Sequence, residues 1–119
     1  MISIVDDDAG VREATLSLVR SLGFAGVTFG SAEEFLDSDC VNDTSCLIAD
    51  VHLPGLSGIE LQARLRAGGS RIPVIVMTAF PEARTRARAL DAGAFGFLSK
   101  PYDANSLIDC LDRALHTQN

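Results

Sequence analysis

The sequence predicts an α/β fold: one doubly wound, five-stranded parallel sheet with five helices, in a single domain of 119 residues. Two observations predict it. Short apolar runs alternate with stretches whose apolar residues recur at helical spacing, which implies right-handed crossovers and a parallel sheet covered on both faces. The central run, Cys46-Leu47-Ile48-Ala49, also has no polar side at all, as a strand buried on both faces requires.

The elements follow in order. Ile2-Ser3-Ile4-Val5 is the first strand and ends in Asp6-Asp7-Asp8. Val11, Ala14, Leu18 and Leu22 mark the first helix, with Gly23 as its C′ residue. Ala25 to Phe29 is the second strand. Ser31-Ala32-Glu33-Glu34 has the form of a capping box and opens a short helix with Phe35 and Leu36. Residues 37–45 are polar and read as a loop. The third strand leads to Asp50, Pro54-Gly55 forces a turn, and Ser57-Gly58 enters a third helix marked by Leu61 and Leu65 and ended by Gly68-Gly69. Pro73 to Met77 is the fourth strand, ending in Thr78. Ala83, Ala87 and Leu90 mark the fourth helix, closed by Gly93. Phe95 to Leu98 is the fifth strand, ending at Ser99-Lys100-Pro101, and Leu107, Leu111 and Leu115 mark the last helix. There is no internal repeat, low-complexity tract or linker.

Composition narrows the function. Hydrophobic residues make up 47% of the chain, enough for one core and too many for disorder. No apolar run is long enough to span a membrane. The start goes straight into a strand pattern and has no signal peptide, so a cytoplasmic location is expected. Cys40, Cys46 and Cys110 lack metal-ligand spacing, and Cys46 and Cys110 fall in apolar patterns as core residues. A net charge of −6 disfavours nucleic-acid binding by this domain, because phosphate backbones attract basic patches.

The polar residues at the strand exits carry the chemistry. In a parallel sheet all these exits share one rim, where ligands bind. Asp6 and Asp7, Asp50, Thr78 and Lys100 thus converge there. Each has an ordinary structural explanation: a helix N-cap with favourable acids for Asp6-Asp7-Asp8, a strand end for Asp50 and Thr78, a surface lysine for Lys100. Their joint occurrence at four of five strand ends argues against coincidence. Two carboxylates ~4 Å apart repel by about 4 kcal/mol at an effective dielectric near 20, so such a cluster needs a proton or a cation. Hard oxygen ligands suit Mg²⁺. An ammonium and a hydroxyl beside one carboxylate are parts of a phosphoryl-transfer site, where an Asp50 oxygen attacks phosphorus to give an acyl phosphate.

In combination, Ile4-Val5-Asp6-Asp7-Asp8, the stretch from Ile48 to Gly58, Val76-Met77-Thr78-Ala79 and Gly93-Ala94 through Lys100-Pro101-Tyr102 resemble the receiver domain of two-component response regulators over the whole chain. The phrase Leu98-Ser99-Lys100-Pro101-Tyr102 is most similar to the FixJ-like receivers, which carry a C-terminal helix-turn-helix output domain. The resemblance implies a flavodoxin-like strand order 2-1-3-4-5. It implies that residues 1–119 form a receiver domain, either alone or as the N-terminal part of a longer regulator that meets DNA only through the output domain. Asp50 would be the phosphoacceptor, modified to 4-aspartylphosphate by a sensor histidine kinase. Asp7 and Asp50 would ligate Mg²⁺ with the backbone carbonyl of His52, and Asp6 would hold a metal-bound water. Thr78 would be the switch hydroxyl, Lys100 the phosphoryl partner and Phe97 the switch aromatic. A cis Lys100–Pro101 bond is implied as well. His52 and Phe80 occupy the two positions that tune the lifetime of the phosphoryl group, with Phe80 bulky enough to shield it.

The implied output is a change in the surface of the fourth helix, fifth strand and fifth helix. That surface carries Arg84, Arg86, Arg88, Asp91, Asp109, Asp112 and Arg113, and the resemblance implies a phosphorylation-dependent homodimer there. Three other classes compete. An aspartyl-phosphate phosphotransferase enzyme would want a second acid where His52 stands. A flavodoxin-like binding module would want a phosphate-cradling loop where Asp6-Asp7-Asp8 stands. A scaffold-type receiver working without phosphorylation would not need the full set of Asp6, Asp7, Asp50, Thr78 and Lys100.

Overall fold

The structure is a computed structural model and describes residues 1–116. The last three residues of the expected 1–119 domain lie outside the described residues.

The strands are β1 (Ile2–Val5), β2 (Gly26–Phe29), β3 (Cys46–Asp50), β4 (Val74–Thr78) and β5 (Gly96–Ser99). All pair in parallel in the order β2-β1-β3-β4-β5. The expected topology is therefore present, with β2 at one edge. The helices are α1 (Ala9–Ser21), α2 (Ala32–Asp37), α3 (Gly58–Ala67), α4 (Ala83–Asp91) and α5 (Ala104–His116). The expected loop before β3 also contains a single 3-10 turn, Val41–Asp43.

Each face of the sheet has its own core. Val5, Leu47, Ala49, Val74 and Val76 meet Phe35 of α2, Ile59, Leu61 and Leu65 of α3, and Ala89 of α4. Ile2, Ile4, Cys46, Ile48, Ile75 and Met77 meet Val19 of α1 and Leu107, Cys110, Leu111 and Ala114 of α5. Successive strand side chains point to opposite faces, so β1, β3 and β4 are wholly buried only because helices cover both sides. Cys46 and Cys110 are free, buried core residues, and burial pushes the Cys46 thiol up to about 12.

Three local expectations are corrected. The stripe Ala83, Ala87 and Leu90 on α4 faces solvent, and Ala89 is the residue that enters the core. Leu22 is the exposed C-cap of α1, which buries Thr15 and Val19 instead. The capping box at Ser31 is half formed. Ser31 accepts from the Glu34 N–H, but the Glu34 carboxylate accepts from the Gly30 N–H rather than that of Ser31. The complete box is on α3, where Ser57 and Glu60 satisfy each other's N–H groups.

Candidate functional site at the carboxyl ends of the strands

The order of the sheet reverses between β1 and β3, and the crevice above such a switch point is the usual place for a ligand. Asp6 directly follows β1, and Asp50 is the last residue of β3. Both are buried, at 0% and 6% exposure, while Asp7 is exposed. One carboxylate oxygen from each of Asp6, Asp7 and Asp50 lies within 4.8 Å of the others.

Lys100 enters from the end of β5. Its ammonium donates to Asp6 Oδ2 and to Asp50 Oδ2, both at 2.7 Å. These are charge-assisted bonds at a site largely shut off from water, so they weigh more than surface ion pairs. Burial works against the Lys100 ammonium, but the bonds to Asp50 and Asp6 outweigh it and hold its pKa above the ordinary lysine value. Burial pushes the Asp6 carboxyl above the ordinary aspartate range, and the hydrogen bonds from Lys100 and the Asp8 N–H only partly oppose it.

Backbone donors orient the rest. The His52 N–H donates to Asp50 Oδ1 at 3.0 Å, which leaves Asp50 gripped through both oxygens. The Val51 N–H donates to Met77 O at 2.8 Å and extends β3–β4 pairing past the acid. Gly58, the first residue of α3, sits against the Asp50 backbone so closely that a Cβ there would overlap the Asp50 carbonyl. Asp8 is the N-cap of α1, accepting from the Gly10 and Val11 N–H groups. Arg12, which the sequence did not single out, donates from Nη1 to Asp6 O at 2.7 Å.

Asp6, Asp7, Asp50 and Lys100 are thus brought together as expected. Thr78 is buried on the same rim, but its Oγ1 accepts from the Phe80 N–H at 2.9 Å rather than joining the carboxylates. His52 and Phe80 form an edge-to-face ring pair, 5.4 Å between centroids, beside the mouth of the site. No spacing rule could have shown that pair, because α3 and β4 separate the two residues. Phe97 is half-buried on β5, paired in register with Val76 and packed on the core. Lys100–Pro101 is cis.

The model for the response regulator receiver domain matches residues 2–112. The chain belongs to that family. It is 38% identical over 114 residues to the transcriptional regulatory protein TdiR of Thauera aromatica, covering 96% of this chain and 50% of TdiR. It is 38% identical over 114 residues to the transcriptional regulatory protein FixJ of Azorhizobium caulinodans, covering 96% of this chain and 54% of FixJ. Among solved structures, the response regulator StyR superposes with a TM-score of 0.89 at 40% identity, covering 98% of this chain and 59% of that one. FixJ-N superposes with a TM-score of 0.86 at 32% identity, covering 97% of this chain and 92% of that one. The chain spans about half the length of the curated relatives it matches.

Receiver domains of response regulators are phosphorylated by histidine kinases, and they generally use Mg²⁺ bound by acidic residues. The donor set of this receiver, three carboxylates converging on one point, is the hard-oxygen environment that Mg²⁺ takes. Among the described residues, no helix is long and apolar enough to cross a membrane.

Proposed function

We propose that this receiver is a phosphorylation-controlled switch in which Asp50 is the acceptor. The observation that carries the reading is the buried Asp50 carboxyl, held beside Asp6 and Asp7 with the Lys100 ammonium at 2.7 Å. An Asp50 oxygen attacks the phosphorus of a phosphohistidine on a sensor histidine kinase. The new O–P bond forms as the P–N bond breaks, and the electron pair returns to the imidazole nitrogen, which then takes a proton. Asp7 and Asp50, with the His52 backbone carbonyl, would hold Mg²⁺, and Asp6 would hold a water of its shell. Bound there, the ion offsets carboxylate charge and orients phosphoryl oxygens. Lys100 contributes a fixed positive charge to the same oxygens.

The acyl phosphate brings a charge of about −2 to the rim. Thr78 leaves the Phe80 N–H to bond it, and Phe97 moves into the space Thr78 vacates. The α4–β5–α5 surface changes as a result and controls a partner: a second copy of the chain, or an output domain that acts on transcription. Residues 1–119 are then the N-terminal receiver of a longer cytoplasmic regulator. Phe80, on its ring contact with His52, shields the acyl phosphate, so Phe80→Ala loses the phosphoryl group faster than the parent.

Intact mass after incubation with a small phosphodonor tests the core of this reading. The expected result is a single phosphoryl adduct that needs Mg²⁺ and is absent in Asp50→Asn. An adduct that persists in Asp50→Asn would move the acceptor elsewhere. Gel filtration with and without the adduct tests the dimer, and an unchanged elution volume would exclude it.

A further inference from the structure

Lys100 can hold two carboxylates only if its backbone is held first, because a long side chain on a loose loop gives up its fixed geometry. On the upstream side the Lys100 N–H donates to Thr78 O at 2.7 Å, the last bond between β4 and β5. On the downstream side, among the described residues, one side-chain hydrogen bond reaches another element. The Tyr102 phenol and the Thr15 hydroxyl are hydrogen-bonded at 2.6 Å, across 87 residues of sequence. Thr15 lies on α1 and is fully buried, so its hydroxyl is dry and its position set by packing. Tyr102 packs against the α1–α5 core. The start of α1 is itself bound back to the site, since Arg12 donates to Asp6 O and Asp8 caps the helix. The contacts form a closed circuit: Asp6, α1, Thr15, Tyr102, Lys100 and back to Asp6.

Apolar packing alone does not call for the two hydroxyls. Phenylalanine at 102 and valine at 15 would fill the same volume, whereas a buried hydroxyl without a partner is costly. We propose that Thr15 and Tyr102 are a positioning pair that holds Lys100 on the acidic site. The inference rests on the phosphotransfer reading above for its consequence, but the position of the ammonium can be observed without it.

The experiment measures two quantities on the same variants. The first is hydrogen exchange of the Lys100 ammonium by ¹⁵N nuclear magnetic resonance, with Lys100→Arg to assign the signal. The second is the rate of phosphorylation by a small phosphodonor with Mg²⁺. Tyr102→Phe is expected to speed ammonium exchange and to slow phosphorylation, each about fivefold, the size of one neutral hydrogen bond. Thr15→Val should match it, the double variant should lose nothing more, and Thr15→Ser should restore parent values. Unchanged ammonium exchange in Tyr102→Phe overturns the proposal. So does faster exchange with an unchanged rate, because the pair would then serve only the fold. Should Thr15→Val not fold, Tyr102→Phe alone decides. If the parent takes no phosphoryl group, the phosphotransfer reading fails, and ammonium exchange still shows whether the pair holds Lys100.

Discussion

Helices α3 and α4 lie on the same face of the sheet and are held to it very differently. α3 buries Gly58, Ile59, Leu61, Gln62 and Leu65 and begins with a complete capping box. α4 buries Ala89 alone, has no side-chain bond at its N-cap Glu82, and leaves Leu90 at 44% exposure. Among the described residues, the one side-chain hydrogen bond joining α4 to another element is Gln62 Nε2 to Ala92 O, at 2.9 Å, and α3 supplies it. The helix beside Asp50 is therefore anchored along its length, and the helix after Thr78 is tied at its far end only. Local opening free energy follows buried contacts and satisfied caps. The switch proposed above, with a fixed acceptor and a moving surface, would need that asymmetry.

The comparison can be broken by unfolding measurements. The largest contrast is expected between Leu61→Ala and Leu90→Ala in urea. The first removes a fully buried side chain and should cost about 3 kcal/mol, and the second should stay within about 0.5 kcal/mol. Similar losses would mean that α4 is anchored as firmly as α3.

The next effect concerns β5, the strand beside α4, which Lys100 ties to β1 and β3 through Asp6 and Asp50. Lys100→Met should cost about 2 kcal/mol at neutral pH, since it leaves the acids without their cation. The pH dependence has a definite sign. Lys100 has a raised pKa in the fold, so its contribution is complete below its ordinary value of 10.5 and is lost as pH rises through the folded value. Stability measured from neutral to strongly alkaline pH should show that loss in the parent and lack it in Lys100→Met.

The smallest contrast is at the caps. Ser57→Ala should cost about 1 kcal/mol, whereas Glu82→Ala at the N-cap of α4 should cost almost nothing, because no bond is lost there. Hydrogen exchange should show the same order, with α4 amides opening before those of α3.

Much of this was legible from residue patterns. The doubly wound sheet followed from runs whose burial on two faces leaves no polar side, as Cys46–Asp50 shows in full, whereas the strand order that puts β2 at the edge came from the family resemblance. The convergence of Asp6, Asp7, Asp50 and Lys100 was also readable, because parallel strands deliver their exits to one rim. α4 was misread for a physical reason. Its alanines are small enough to lie on either side, and Leu90 suggested a core face that only Ala89 occupies. The Ser31 box was misread because Glu34 reaches one residue too far back. The tie between Thr15 and Tyr102 was beyond reach, since it joins residues 87 apart whose neighbourhood exists only after the chain has crossed the sheet, and the local bond from Arg12 to Asp6 O depends on a side-chain conformation that no pattern encodes.

The contact between Gly58 and the Asp50 backbone makes residues 51–57 a closed excursion: the chain leaves the acid and comes back to touch it. The Gly58 N–H seals the return on Val51 O at 3.1 Å. Along that excursion Val51 and Leu53 enter the core and Ser57 caps α3, while His52 and Pro54 stay exposed, and the path ends by delivering a residue without a side chain to the Asp50 backbone. A Cβ at 58 would meet the Asp50 carbonyl, so a larger residue there requires α3 or the strand end to shift. Position 58 thus works as a spacer of zero thickness, setting the height of the acid above the sheet.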